Sequence, residues 1–158
     1  MVTLLCGRIG SGKTTLAKQI QSRTGAVLLS ADDLLLTVFT GCLGDKHDET
    51  NARCLQYLFQ MAGQLDALGI SSIIDAGFWT RESRQNAREY FTSRNIENEL
   101  YYLYLEDDLR KARVAARNEL LRTSTRREFI LCEQTLARLD AKFEEPSAEE
   151  YDERVDMK

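Results

Sequence analysis

The 158-residue chain has a single histidine, His47, and four cysteines, Cys6, Cys42, Cys54 and Cys132, none in C-x-x-C spacing. A zinc centre draws on clustered cysteines and histidines, so that scarcity argues against one. Without a paired framework the thiols read as reduced and mostly buried rather than disulfide-linked. No apolar run approaches the length of a membrane span, and there is no internal repeat and no low-complexity segment. A surplus of positive charge is also missing. With 21 Lys and Arg against 25 Asp and Glu the formal net charge is −4, which disfavours a protein that holds long nucleic acid by counterion release. Met1-Val2-Thr3 leads straight into an apolar strand, without the basic and apolar regions of a secretory leader. A soluble, cytoplasmic protein is expected. Apolar content of 43% and charged content of 29% are ordinary for one, and the length suits a single domain over residues 1–158.

What is present is Gly7-Arg8-Ile9-Gly10-Ser11-Gly12-Lys13-Thr14, a full match to the P-loop pattern of Gly, four residues, then Gly-Lys-Ser/Thr. Val2–Cys6 before it is a short β-prone run that reads as a buried strand, and Thr15–Ile20 after it opens a helical pattern. Strand, loop and helix are the context the motif requires. Gly7, Gly10 and Gly12 allow left-handed backbone and let N–H groups approach phosphate oxygens without a Cβ in the way. The loop opens onto a helix N-terminus, whose free N–H groups and dipole favour phosphate. Ser11 and Thr15 flank the cradle, Lys13 adds a mobile charge for the terminal phosphates, and the Thr14 hydroxyl suits Mg²⁺.

Further along, Ala26–Ser30 reads as a second strand, followed by Asp32 and Asp33 and a short helix from Leu34 to Phe39 capped by Ser30 or Asp32. Residues 40–49 read as a loop. Leu55, Leu58, Ala62, Leu65 and Leu68 mark one face of a helix from Asn51 to Leu68, stopped by Gly69. Ile70–Asp75 is the third strand, closed by a carboxylate, and Thr80 caps a helix from Arg81 to Arg94. Leu100–Leu105 is the fourth strand, apolar and aromatic on both faces as a central parallel strand should be. A helix from Leu109 to Leu121 follows. Thr125 and Glu128 form a capping box for the next helix, with Phe129, Cys132, Leu136, Leu139 and Phe143 as its buried stripe. Arg154–Met157 is at most a short fifth strand. Strands alternating with helices predict a parallel sheet with ligands at its carboxyl edge. That edge would gather the P-loop, Asp32, Asp33 and Asp75, residues far apart in sequence.

Asp75 sits where a strand-end aspartate holds Mg²⁺. Asp32, with Asp33 beside it, is placed as a carboxylate one strand over from the P-loop, suited to accept a proton from an attacking hydroxyl. Capping is the plainer role for either. Arg113 and Arg117, four apart on a helix, share a side with Arg110, and the stretch from Arg110 to Arg127 holds seven Lys and Arg against one acid, Glu119. Such a segment suits a lid over triphosphate as well as a solvated helix face. Arg81, Arg84 and Arg88 share another face. His47 reads as a loop residue with no ligand partner.

The P-loop, Leu29-Ser30-Ala31-Asp32-Asp33-Leu34, Ile73-Ile74-Asp75-Ala76-Gly77-Phe78-Trp79 with Arg84, and Arg113-Val-Ala-Ala-Arg117-Asn118 together resemble the small P-loop kinases. These include chloramphenicol phosphotransferase, zeta-toxin and polynucleotide 5′-kinase relatives, and many are known only as AAA-type ATP-binding proteins. The resemblance extends to Phe143–Pro146. It implies an α/β, three-layer P-loop NTPase fold with a parallel sheet of four to five strands and a helical lid over about residues 107–130. It further implies Gly7, Gly10, Ser11, Gly12, Lys13, Thr14 and Thr15 for ATP, Thr14 and Asp75 for Mg²⁺, and Asp32 as base. Lys13, Arg113 and Arg117 would assist transfer. Leu35 stands where polynucleotide kinases carry a substrate-contacting arginine, which disfavours a nucleic-acid acceptor. The absence of an N-K-x-D motif favours adenine over guanine. The expectation is an ATP-dependent kinase of a hydroxyl-bearing small molecule. A polynucleotide or nucleoside 5′-kinase and an ATP-binding or hydrolysing regulatory module are the alternatives.

Overall fold

The computed structural model describes residues 1–39, 46–123 and 133–158. The capping box at Thr125 and Glu128, the basic residues Arg126 and Arg127, and the apolar Phe129 and Cys132 lie outside that range, as does the part of the lid beyond residue 123. Among the described residues eleven elements run in the order β1 (Val2–Cys6), α1 (Lys13–Thr24), β2 (Val27–Ser30), α2 (Ala31–Val38), α3 (His47–Ala67), β3 (Ser72–Gly77), α4 (Arg81–Thr92), β4 (Asn98–Tyr104), α5 (Asp107–Thr123), α6 (Glu133–Asp140) and β5 (Glu153–Asp156). The strands form one sheet in the order β2-β3-β1-β4-β5, with every neighbouring pair parallel. This is the expected α/β architecture with five strands. Among the described residues no helix is long and apolar enough to cross a membrane.

Side chains alternate across the sheet and separate two cores. Val2, Leu4, Ile74 and Leu100 face Phe59 and Ala62 of α3 and Ala87 and Phe91 of α4. Leu5, Ile73 and Leu103 face Leu16, Ala17 and Ile20 of α1. Because both faces are covered, β1 is buried along its whole length, as its unbroken apolar run requires. Burying each such large side chain contributes roughly 1.5–3 kcal/mol. Gly25 ends α1 in a left-handed conformation. Leu68, Gly69 and Ile70 end α3 in a Schellman arrangement, with Gly69 N–H on the Asp66 carbonyl at 2.8 Å and Ile70 N–H on the Leu65 carbonyl at 2.9 Å.

Four local expectations change. The helix after β2 begins at Ala31, and Ser30 alone caps it by accepting the Asp33 N–H at 3.2 Å; Asp32 lies inside the first turn. α3 starts at His47 rather than Asn51, because Asp48 and Glu49 place negative charge against its dipole. β3 does not close at Asp75 but runs to Gly77, with a register shift opposite Leu5 and Cys6. Finally, β2 is two strands from β1 rather than one, because β3 is inserted between them. The carboxylate nearest the P-loop is therefore Asp75, directly opposite Leu5.

Candidate active site

The P-loop leaves β1 at the carboxyl edge of the sheet and enters α1 at Lys13. Within it Gly10 and Gly12 are left-handed, at φ 82° and 101°. A Cβ on Gly10 would lie 2.7 Å from Val114 Cγ2 and 3.1 Å from the Arg110 carbonyl of α5, and one on Gly12 would lie 2.8 Å from Met157 Cε. The loop is thus roofed by α5 and by the residues after β5; a side chain at Gly10 is excluded by conformation and by space, whereas at Gly12 the left-handed backbone is the obstacle, since the Met157 methyl can move aside. Lys13 Nζ donates to the carbonyls of Gly7 and Arg8, each at 2.9 Å. Those bonds hold the ammonium against the loop that is to receive phosphate. Burial lowers the Lys13 pKa, opposed by the carboxylates of Asp75 and Asp32. Thr15 is exposed in the first turn of α1, whereas Ser11 is buried.

Thr14 Oγ1 donates to Asp75 Oδ2 at 2.7 Å, and the first P-loop glycine donates its N–H to the Gly77 carbonyl at 3.1 Å. The end of β3 is tied to the loop at both points. A hydroxyl and a carboxylate at the mouth of a phosphate cradle are hard oxygen donors that fit Mg²⁺, which typically takes one or two protein ligands and completes its shell with phosphate and water. Among the described residues no group of three or more His, Cys, Asp or Glu is arranged to hold a metal ion.

Asp32 opens to solvent on α2, and its carboxyl pKa is raised first by the surrounding protein and then by the charge of Asp75, while Lys13 and Arg117 pull it down. Asp32, Asp75, Lys13 and Arg117 therefore share one electrostatic neighbourhood. The Asp33 backbone N–H is held by Ser30 at the helix start. On α5, Arg113 reaches within 3.7 Å of the Cβ position of Gly12 and donates to the Lys158 carbonyl. Arg117 is half-buried and its charge is felt by both Lys13 and Asp32.

Arg110 departs from the expected basic edge. It is wholly buried, with Nε on Asp107 at 3.2 Å, Nη2 on Asp140 at 2.6 Å and Nη1 on the Ile9 carbonyl at 3.1 Å. With Val114 one turn on, it packs against the loop at Gly10, apart from Arg113, which lies near Gly12, and Arg117, whose charge acts on Lys13 and Asp32. Arg84 of the second arginine face is also buried, and Arg88 pairs with Asp152. His47 is a surface residue 3.6 Å from Asp48. Sequence reasoning had no sign of Met157 over Gly12, or of Arg8 pairing with Asp107 at 3.0 Å and lying over the Phe143 ring. These contacts join segments about a hundred residues or more apart and leave no local pattern.

No curated protein matches the chain. Among solved structures, a sugar kinase from Janibacter sp. is similar at 22% identity and TM-score 0.65, with 99% of this chain and 83% of that one covered. The APS kinase of Mycobacterium tuberculosis, in complex with AMPPNP and APS, is similar at 18% identity and TM-score 0.70, covering 98% and 87%. A gluconokinase from Sinorhizobium meliloti gives 16% identity and TM-score 0.59 over 98% and 81%. At these identities the likeness establishes the fold, that of the small P-loop kinases. The family model described as AAA domain matches residues 2–146, which takes in every element from β1 to the end of α6 and with them the whole carboxyl edge of the sheet up to β4. The chain belongs to the AAA domain family.

Proposed function

We propose that the protein is an ATP-dependent kinase that transfers the γ-phosphoryl group of ATP·Mg to a hydroxyl of a small molecule. The observation that carries this reading is the convergence of Lys13, Thr14 and Asp75 with a second carboxylate, Asp32, whose surroundings raise its pKa. A nucleotide-binding module needs the first three. A carboxylate of raised proton affinity beside them suits proton abstraction from an acceptor. The structural neighbours that are kinases of sugar, APS and gluconate type support an acceptor of small size.

When bound, the nucleotide with its Mg²⁺ supplies the phosphoryl group and neutralises part of its charge. The backbone of Gly7–Thr14 orients the phosphates, and Lys13 moves from the Gly7 and Arg8 carbonyls to the terminal phosphate oxygens. Thr14 and Asp75 would hold the metal. Asp32 takes the hydroxyl proton as the acceptor oxygen bonds to phosphorus and the bridging oxygen leaves with ADP. Arg113 and Arg117 stabilise charge on the transferring group and exclude water as α5 settles.

The test is incubation with γ-labelled ATP and magnesium against sugars and polyols, nucleosides, antibiotics and 5′-OH oligonucleotides, with Asp32→Asn run alongside. Transfer to one small-molecule class that disappears in Asp32→Asn is the expected result. Transfer only to oligonucleotides would move the protein to the polynucleotide kinases, and ATP binding with no acceptor phosphorylated would make it a regulatory module.

A further inference from the structure

Arg84, the fourth residue of α4, is 2% exposed and has a role that the phosphate chemistry does not use. Its Nη1 donates to three carbonyls, Phe78 at 3.2 Å, Trp79 at 3.3 Å and Glu144 at 2.9 Å, and its Nε pairs with Glu150 at 2.8 Å. Two of these carbonyls belong to the turn that follows Asp75. The third belongs to the segment that follows α6.

The turn itself is unusual. Gly77 and Phe78 are both left-handed, at φ 80° and 44°, and Phe78 is buried. A bulky residue in that region costs on the order of 1–3 kcal/mol and persists only where its surroundings enforce it. Here they do so from three sides. The Phe78 carbonyl receives Cys6 Sγ at 3.3 Å as well as Arg84, the Gly77 carbonyl receives the Gly7 N–H at 3.1 Å, and the Trp79 carbonyl receives the Glu144 N–H at 2.9 Å. Glu144 Oε2 also accepts the Arg81 N–H at 2.6 Å. An apolar residue of similar volume could fill the space under the turn with comparable stability, but it could not set the positions of carbonyls on two segments at once.

We propose that Arg84 is a positioning residue that ties the segment after α6, at Glu144 and Glu150, to the turn behind Asp75, so that the carboxylate's readiness for metal depends on how that segment is seated. The inference rests on the ATP·Mg reading above and goes beyond it, since Arg84 touches neither nucleotide phosphate nor metal in that reading. It acts through the turn on Asp75, and Asp75 in turn is held by Thr14.

The experiment is calorimetric titration of magnesium into the protein with ATP present, and of ATP without magnesium, for the unsubstituted chain, Arg84→Lys, Glu150→Gln and the control Arg88→Gln. Arg88 lies one turn further along α4 and pairs with Asp152 without touching the turn. Lysine keeps the charge but cannot bridge carbonyls and Glu150 together. Arg84→Lys should raise the half-saturating magnesium concentration about tenfold, the low end for outer partners of a metal ligand, with magnesium-free ATP affinity unchanged within about twofold. Glu150→Gln should shift it in the same direction by less, and Arg88→Gln not at all. In the metal-free protein the Glu144 amide should exchange its hydrogen faster in Arg84→Lys. An unchanged magnesium midpoint in Arg84→Lys with ATP still bound, whatever happens to the melting temperature, overturns the inference alone. If Arg84→Lys does not fold, an unchanged midpoint in Glu150→Gln overturns it instead. Failure of the unsubstituted chain to bind ATP overturns the kinase reading and this inference together.

Discussion

In the proposed reaction Lys13 and Asp32 are the two residues whose ionisation bears most directly on activity. Lys13 is held on the carbonyls of its own loop, so phosphate binding exchanges two neutral acceptors for charged oxygens, a stronger type of hydrogen bond. Lys13→Ala is expected to abolish productive ATP·Mg binding, read by calorimetry. For Asp32 the folded pKa lies above the ordinary value of 3.8. Its contribution to stability is therefore complete below that value and is lost as pH rises through the folded pKa, leaving a charged group that costs stability at neutral pH. Asp32→Asn should lower turnover by about 10²–10⁴-fold, the usual range for loss of a general base, while keeping ATP affinity. The same variant should resist denaturant better than the unsubstituted chain at neutral pH, and that advantage should vanish below pH 3.8. The adjacent pair Asp32–Asp33 was visible in the sequence. Which of them acts electrostatically on Lys13 was not, because that depends on where the helix starts, and the Ser30 cap sets the start at Ala31.

α5 shows what helix periodicity can and cannot reveal. Spacing of three and four places Arg110, Arg113 and Arg117 on neighbouring stripes, but a basic stripe carries no mark of what will pack on it. Gly10 decides the matter, since its lack of a side chain lets Arg110 and Val114 close on the loop. Arg110 thereby joins the P-loop to α5 and α6 through Ile9, Asp107 and Asp140. Removing one partner of a buried ion pair is costly, so Arg110→Ala is expected to lose about 3 kcal/mol. For a chain of this size that is a fall in melting temperature of roughly 6–12 °C by thermal denaturation. Arg113→Ala, at an exposed position, should leave the melting temperature nearly unchanged and weaken transfer instead. On addition of a non-hydrolysable ATP analogue, amide exchange across residues 107–123 should slow as the arginines engage phosphate; unchanged exchange with ligand bound would reject α5 as part of a lid.

Across the whole molecule the carboxyl edge of the sheet is held together by bonds between distant segments, and Glu150 is the member most exposed to acid. Hydrogen bonding to Arg84 lowers its pKa from 4.5 to about 2. The stabilisation is present above 4.5 and is lost as pH falls through about 2, and a shift of that size corresponds to about 3 kcal/mol. The stability gap between the unsubstituted chain and Glu150→Gln should therefore narrow below pH 4.5 and close near pH 2, followed by denaturant unfolding across that window. The sequence by itself determined the P-loop, the parallel α/β class and the gathering of Lys13, Thr14 and Asp75 at one edge of the sheet. Each of these rests on local patterns: glycines at set intervals, apolar runs of strand length, and a carboxylate near a strand's end. The tertiary structure alone decided the insertion of β3 between β2 and β1, the burial of Arg110 and Arg84, the left-handed turn after Asp75, and the placement of Met157 over Gly12. Strand order and burial depend on which faces meet in three dimensions. A charged residue that satisfies its hydrogen bonds with carbonyls from other elements looks in sequence the same as one that waits for phosphate.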